Sequence, residues 1–399
     1  MINGLSHRVA VSACALCVAG VLTLTPAAAS ARHHAGAPAP SPGEPAPPGP
    51  RAAMPGPSML YDSGTQVRPH RDAPGVPNVS ALSWVVADAR SGDVLAASGA
   101  HRRLPPASTL KTLFALTVLP ALPGGMRHTV RNEDLAGIGA GSSMVGVKEG
   151  QTYQVADLWR GVFLRSGNDA VHVLASMAGG WDATATRMQA KARSLGALDT
   201  HVVSPDGYDA DGQVSSAYDL AVFGREGLRN PDFARYCATA RATFPAEGWS
   251  FGIQNTNRLL TGANGVQPYR GLIGIKNGYT TNAGNTLVAA ADRGGRTLVV
   301  TVMNPQGGGL TVYDEARELL DWGFDAAGRV DPVGSLDGLR VTSRPAKRPA
   351  APVAAAASQA PGDGMDWPRT AVIAGLSGLG AGALTVVLQR RARRRAARD

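Results

Sequence analysis

Nearly all the apolar periodicity in this chain of 399 residues falls in one block, from Asn78 to about Ala327. Stretches loaded with Pro, Gly and Ala bound it on both sides, residues 32–77 and 330 to about 366. Segments of that composition bury too little apolar surface to offset the entropy of ordering them. The folded part is therefore expected to be one domain, with room for a subdomain. The expected division is residues 1–31 as a signal peptide, 32–77 as a linker, 78–328 as the folded domain, 329–368 as a second linker, 369–389 as a transmembrane helix and 390–399 as a basic tail.

The two ends agree on a topology. Arg8 precedes an apolar run from Val9 to Leu24 and the small-residue stretch Pro26 to Ala31, the plan of a secretory signal in which Ala29-Ser30-Ala31 fits a cleavage site. Thr370 to Leu388 carries no charge and is long enough to cross a hydrocarbon core as a helix. Arg390, Arg391, Arg393, Arg394, Arg395 and Arg398 follow it, and Arg-rich flanks stay in the cytoplasm. These features predict a single-pass protein of the cell membrane with its folded domain outside. The tail also accounts for more than half of the net charge of +9, which anionic lipid satisfies, so no nucleic-acid partner is expected.

Cys14 and Cys17 lie in the apparent signal, leaving Cys237 alone in the exported part, without a disulfide framework. Cys237 reads as a small buried apolar residue. The eight histidines form no metal-ligand spacing, and no metal or cofactor is expected.

Within the block, Ser80 to Ala87 and Val94 to Ala97 read as the strands of a hairpin turning at Arg90-Ser91-Gly92-Asp93. Helical patterns run over Ser108–Leu119, Val155–Met177, Trp181–Leu195 and Ala217–Gly227. Strands return at Leu272–Lys276, Thr286–Ala291 and Thr297–Met303, and Thr311–Phe324 is an amphipathic helix. Strands at both ends with helices between them predict an α/β (α+β) fold: one mostly antiparallel sheet, flanked by helices, with an inserted helical subdomain.

Lysine is scarce. Of the 39 basic residues only Lys111, Lys148, Lys191, Lys276 and Lys347 are lysines. A base that must lose its proton near neutral pH cannot be Arg, so the retained lysines are candidates. Lys111 lies three residues after Ser108 at the start of a predicted helix, which puts both side chains on one face; a helix cap with an exposed lysine is the plainer alternative. Ser166-Gly167-Asn168 interrupts a helical pattern, where a turn could present a hydroxyl and an amide to a cleft or simply cap a helix. Lys276-Asn277-Gly278 ends a predicted strand, and glycine there permits close backbone approach. Lys148-Glu149-Gly150 has the same spelling without a preceding strand.

In that order, Ser-x-x-Lys, Ser-x-Asn and Lys-x-Gly form the motif set of penicillin-recognising serine enzymes. The surroundings, Pro106 to Lys111, Ser166 to Ala170, Ser204-Pro205-Asp206-Gly207 and Lys276 to Thr280, resemble the low-molecular-weight penicillin-binding proteins of the serine D-alanyl-D-alanine carboxypeptidase family, over roughly Asn78 to Phe324. The resemblance implies the penicillin-binding protein/β-lactamase-like fold and an acyl-enzyme route on peptidoglycan stem peptides. In it Ser108 attacks the penultimate D-alanine carbonyl, Lys111 takes its proton, Ser166 passes a proton to the leaving amine, and Asn168 orients Lys111 and the peptide. Lys276 attracts the terminal carboxylate, with Asn277, Gly278, Tyr279 and Thr280 as further substrate-binding positions, and the N–H groups of Ser108 and Tyr279 make the oxyanion hole. β-Lactams are the implied inhibitors. The family usually has threonine where Asn277 stands; an amide can also hydrogen-bond a carboxylate, so the departure bears on carboxylate affinity and penicillin sensitivity.

Two other readings are weighed beside this one. A class A-like β-lactamase would need a Glu in an ExxLN-type loop, and Glu226 to Asn230 has the wrong register. A peptidoglycan-binding scaffold of weak catalytic power would explain Asn277, but leaves Ser108, Lys111, Ser166 and Asn168 unexplained.

Overall fold

The computed structural model describes residues 59–340. Strands β1 (Thr65–Pro69), β2 (Ser83–Asp88) and β3 (Asp93–Ser98) lead into a 3-10 turn, Ala107–Leu110, and helix α1 (Lys111–Val118). Strands β4 (Arg127–Thr129) and β5 (Thr152–Gln154) form a small ladder. Helices α2 (Val155–Arg165), α3 (Asn168–Met177), α4 (Trp181–Ser194), α5 (Ala217–Leu228) and α6 (Pro231–Ala238) follow. Next come the hairpin β6 (Arg241–Ala246) and β7 (Trp249–Gln254), the short α7 (Arg258–Thr261), and the strands β8 (Leu272–Thr280), β9 (Gly284–Arg293) and β10 (Arg296–Met303). Helix α8 (Thr311–Ala326), β11 (Val330–Asp331) and β12 (Gly334–Ser335) close the unit.

The main sheet runs in the order β11-β1-β3-β2-β10-β9-β8, with β12 also on β3, and its pairs are antiparallel. Helices cover both faces. Because side chains alternate along a strand, Val85, Ala87, Val288 and Val299 join the cluster that holds Leu110, Phe114 and Trp159. Trp84, Val86, Leu287 and Val300 pack with Leu319 and Leu320 of α8. Burial on both faces explains why β10, RTLVVTVM, reads as an almost unbroken apolar run.

The expected sheet, its helical cover and the insertion all stand. The boundaries do not. Residues 65–69, expected in a linker, form β1 between β3 and β11, and residues 330–335, expected in the second linker, supply β11 and β12. TQVRP has one strongly apolar side chain and the other two strands are two residues long, so neither carries a period to read. The signal segment, the remaining linker sequence, the apolar segment 369–389 and the tail lie outside the described residues. Among the described residues no helix is long and apolar enough to cross a membrane.

Candidate active site

Ser108 sits in the 3-10 turn and Lys111 opens α1. In 3-10 geometry positions i and i+3 eclipse, which brings Lys111 Nζ to 2.7 Å from Ser108 Oγ. The ammonium nitrogen also donates to the backbone carbonyl of Asp206 at 2.6 Å. Lys111 is 1% exposed, so the capped, solvated lysine is ruled out. Burial is what moves it: desolvation of the ammonium lowers its pKa to about 8, against a smaller upward pull from Asp206 and Asp169.

The turn is held from three sides. The Pro106 carbonyl accepts from the hydroxyls of Thr109 and of Thr286 on β9. Gly207, at φ +79°, lies so close that a Cβ there would stand 2.0 Å from the Ala107 oxygen. A Cβ on Gly278 would stand 2.7 Å from the Ser108 nitrogen. The close approach for which Gly278 is needed is thus made by the turn that carries Ser108. Ala107 itself takes a left-handed conformation, φ 50°, next to Ser108, a placement that costs about 1–3 kcal/mol and clusters at functional sites.

The helical pattern over 155–177 breaks where the motif predicts. Ser166 ends α2 in a left-handed conformation, φ 57°, ψ 26°, and Asn168 begins α3. Ser166 Oγ and Asn168 Oδ1 are buried without a hydrogen-bond partner among the described residues. Asn168 Nδ2 donates to Ser142 Oγ at 3.0 Å. Lys111 donates to the Asp206 carbonyl and to Ser108, while the Asn168 amide is anchored on the 140–147 segment. That segment is itself tied to α3 by the buried Asp169 carboxylate, which accepts from the N–H groups of Val145, Gly146 and Val147.

Strand β8 lies at the end of the sheet and its register slips by one residue between Leu272 and Gly274, with Gly274 at φ 101° and Ile275 at φ 131°. Such a bulge re-aims the residues that follow. Lys276 turns inward, 1% exposed, and donates to the Asn277 carbonyl at 2.6 Å; Tyr279 turns out, 68% exposed. Desolvation holds the Lys276 pKa well below the ordinary lysine value, and the nearby Lys111 pushes it the same way. Asn277 Oδ1 accepts from Thr256 Oγ1 at 3.0 Å. Thr280 Oγ1 accepts from the Ala283 N–H and so steadies the turn after the strand.

Ser108, Asn168, Tyr279 and Thr280 line one cleft of about 250 Å³ with residues 140–143 and 207–209. Asn277, Gly278 and Tyr279 border a second, of about 490 Å³. Lys148 is exposed outside both, and Cys237 is buried with its thiol pKa pushed well up by desolvation.

The Asp206 carbonyl, Ser142 and Asp169 are the participants that motif reading did not assign. A backbone acceptor has no side-chain signature, and Asp206 was visible only as part of Ser204 to Gly207.

A cleft-lining serine paired with a buried lysine beside a sheet edge defines a serine acyltransferase of the penicillin-recognising class. The D-alanyl-D-alanine carboxypeptidase family model matches residues 70–307, and the chain belongs to that family. It is 43% identical over 274 residues to D-alanyl-D-alanine carboxypeptidase DacB2 of Mycobacterium tuberculosis, covering 68% of this chain and 90% of the relative. It is 35% identical over 266 residues to DacD of Escherichia coli, covering 63% of this chain and 65% of that one. Among solved structures, a D-alanyl-D-alanine carboxypeptidase from Mycobacterium tuberculosis superposes with a TM-score of 0.61 at 40% identity, over 68% of this chain and 100% of the other. Penicillin-binding protein 6B from Escherichia coli gives a TM-score of 0.57 at 33% identity, over 64% and 81%.

Proposed function

We propose that this serine D-alanyl-D-alanine carboxypeptidase removes the terminal D-alanine of peptidoglycan stem pentapeptides with Ser108 as nucleophile and Lys111 as its base. The 2.7 Å contact between Lys111 Nζ and Ser108 Oγ carries the assignment, because it sets a buried amine of lowered pKa against a hydroxyl that lines the cleft. A neutral Lys111 draws the hydroxyl proton as Oγ attacks the penultimate D-alanine carbonyl. The carbonyl oxygen, now negative, lies between the N–H groups of Ser108 and Tyr279, each worth about 10²–10³ in rate in comparable sites. The C–N bond breaks, Ser166 delivers the proton to the departing amine, and water hydrolyses the ester. The Lys276 ammonium draws the terminal carboxylate toward the Asn277 end of β8, so the leaving half lies there and the retained half along Tyr279 to Thr281.

β-Lactams, carrying a carboxylate and a strained amide, fit the same site as inhibitors. An intact Ser108–Lys111 pair argues against a mere scaffold. We also infer, from the apolar ends and the Arg-rich tail, that the enzyme is exported and held at the outer face of the cytoplasmic membrane by residues 369–389. The function is tested by incubating the protein with a stem pentapeptide and measuring free D-alanine. Release is expected, falling at least about 10²-fold in Lys111→Ala and further in Ser108→Ala. Undiminished release in the lysine variant would remove Lys111 as the base.

A further inference from the structure

The cleft of about 250 Å³ that holds Ser108 has two walls of different build. One is the end of β8, Tyr279 and Thr280, paired along its length to β9. The other, residues 140–143, belongs to the run Ala136 to Met144, in which positions 137, 139 and 141 are all glycine. Gly137 and Gly141 take φ values of +78° and +74°, and a backbone so rich in glycine needs ties to hold one shape. Asn168 ties the far part, its Nδ2 donating to Ser142 Oγ and its N–H to the Ser143 carbonyl at 2.7 Å. Ahead of Ser142 the tie comes from across the cleft: the Tyr208 hydroxyl donates to the Ala140 carbonyl at 2.8 Å.

The root of that tie is firm. Tyr208 follows Gly207, packed on the Ala107 carbonyl, and Asp206, whose own carbonyl accepts from Lys111 Nζ. The Tyr208 N–H donates to Asp206 Oδ1 at 3.0 Å, and its carbonyl accepts from Gln213 Nε2 at 2.7 Å. The ring, 37% exposed, belongs to the cleft wall and not to the core. A Cβ on Gly139 would stand 2.7 Å from Tyr208 Cζ. Gly139 has no left-handed φ, so the missing side chain there makes room for the ring.

We propose that Tyr208 is a positioning residue: its hydroxyl straps the 139–143 wall to the Ser204 to Gly207 segment and so holds the cleft at the width that binds the retained half of the peptide. This rests on the orientation set out under Proposed function, in which that half lies along Tyr279 to Thr281. The hydroxyl bonds to the wall, whereas Ser108 and Lys111 are held by each other and by the Asp206 carbonyl. Loosening the strap therefore weakens substrate binding and leaves the reacting pair as it is.

The test follows D-alanine release from a stem pentapeptide in single turnovers, with enzyme in excess, so that the half-saturating concentration reports binding and the limiting rate reports acylation. It compares the wild type with Tyr208→Phe, Gly139→Ala, Tyr208→Ala and the double variant Gly139→Ala/Tyr208→Ala. Tyr208→Phe and Gly139→Ala are each expected to raise the half-saturating concentration about two- to tenfold, the range one hydrogen bond accounts for. The limiting rate should stay within about twofold, and its rise with pH should still level at about pH 8. Gly139→Ala should add nothing to Tyr208→Ala, because the ring it displaces is gone. A lowered limiting rate at unchanged half-saturation, or a displaced pH limb, would show Tyr208 acting on Lys111 through Asp206 and would overturn the proposal. An equal effect of Gly139→Ala with and without the ring would overturn it too. Should Tyr208→Ala not fold, Tyr208→Phe and Gly139→Ala decide by the split between half-saturation and limiting rate. Absence of D-alanine release from the wild type would overturn the underlying reading, and the strap with it.

Discussion

A lysine with 1% of its surface exposed is a costly residue to keep in a core helix, and its cost is its use. Lys111 is moved mainly by desolvation, to about 8, so near neutral pH a usable fraction is the free amine. Below that pKa the protonated form cannot accept the Ser108 proton. The acylation rate by a β-lactam is therefore expected to rise about tenfold per pH unit up to about pH 8 and then to level, as measured by stopped-flow or quenched labelling. In Lys111→Arg, which stays charged, that limb should vanish along with nearly all acylation. A rate independent of pH between 5 and 8 in the wild type, on the order of the range in which Lys111 should titrate, would contradict the assignment. The serine, the lysine and their spacing were legible because few residue pairs can do this chemistry and lysine is rare in this chain. The Asp206 carbonyl, which fixes Lys111, was not legible, since every residue has one.

Elements bring these groups together through close contacts that admit no Cβ. Gly207 pins the Ser204 to Gly207 segment against the Ala107 carbonyl. Gly207→Ala would need both a clash at 2.0 Å and an unfavourable positive φ, so the Ser108 turn must shift. A displacement of about 1 Å in a catalytic group costs on the order of 10² in rate, and that loss in D-alanine release is expected with only a modest fall in thermal midpoint. Unchanged turnover would show that the turn does not depend on this contact. The α2–α3 break was visible in sequence because Ser166-Gly167 interrupts a strong period. The β6–β7 hairpin was not, since Pro245 and Gly252 spoil the strand pattern. Nor was the slip in β8, which depends on Gly274 packing against the Cys237 carbonyl of α6, a contact made across the fold.

For the whole molecule, the sheet order places β8 at one end, where an extended peptide can lie along Asn277 to Thr281 between the two clefts. Composition reported the class of this fold, but not its limits, because β1, β11 and β12 are too short to show a period, although Val67 and Val330 pack on the core. If residues 369–389 anchor the chain as proposed, the full protein should sediment with membranes, and protease added to spheroplasts should remove the folded domain while sparing an epitope placed after Asp399. Release into the soluble fraction by a high-salt wash would contradict a spanning helix. The central claim, that Ser108 is the nucleophile activated by Lys111, is tested most directly by trapping the protein with a β-lactam and locating the adduct by peptide mass spectrometry. One adduct per chain is expected, on the peptide holding Ser108, absent from Ser108→Ala and formed at least about 10²-fold more slowly in Lys111→Ala. An adduct on any other residue, or undiminished labelling of Ser108→Ala, would contradict it.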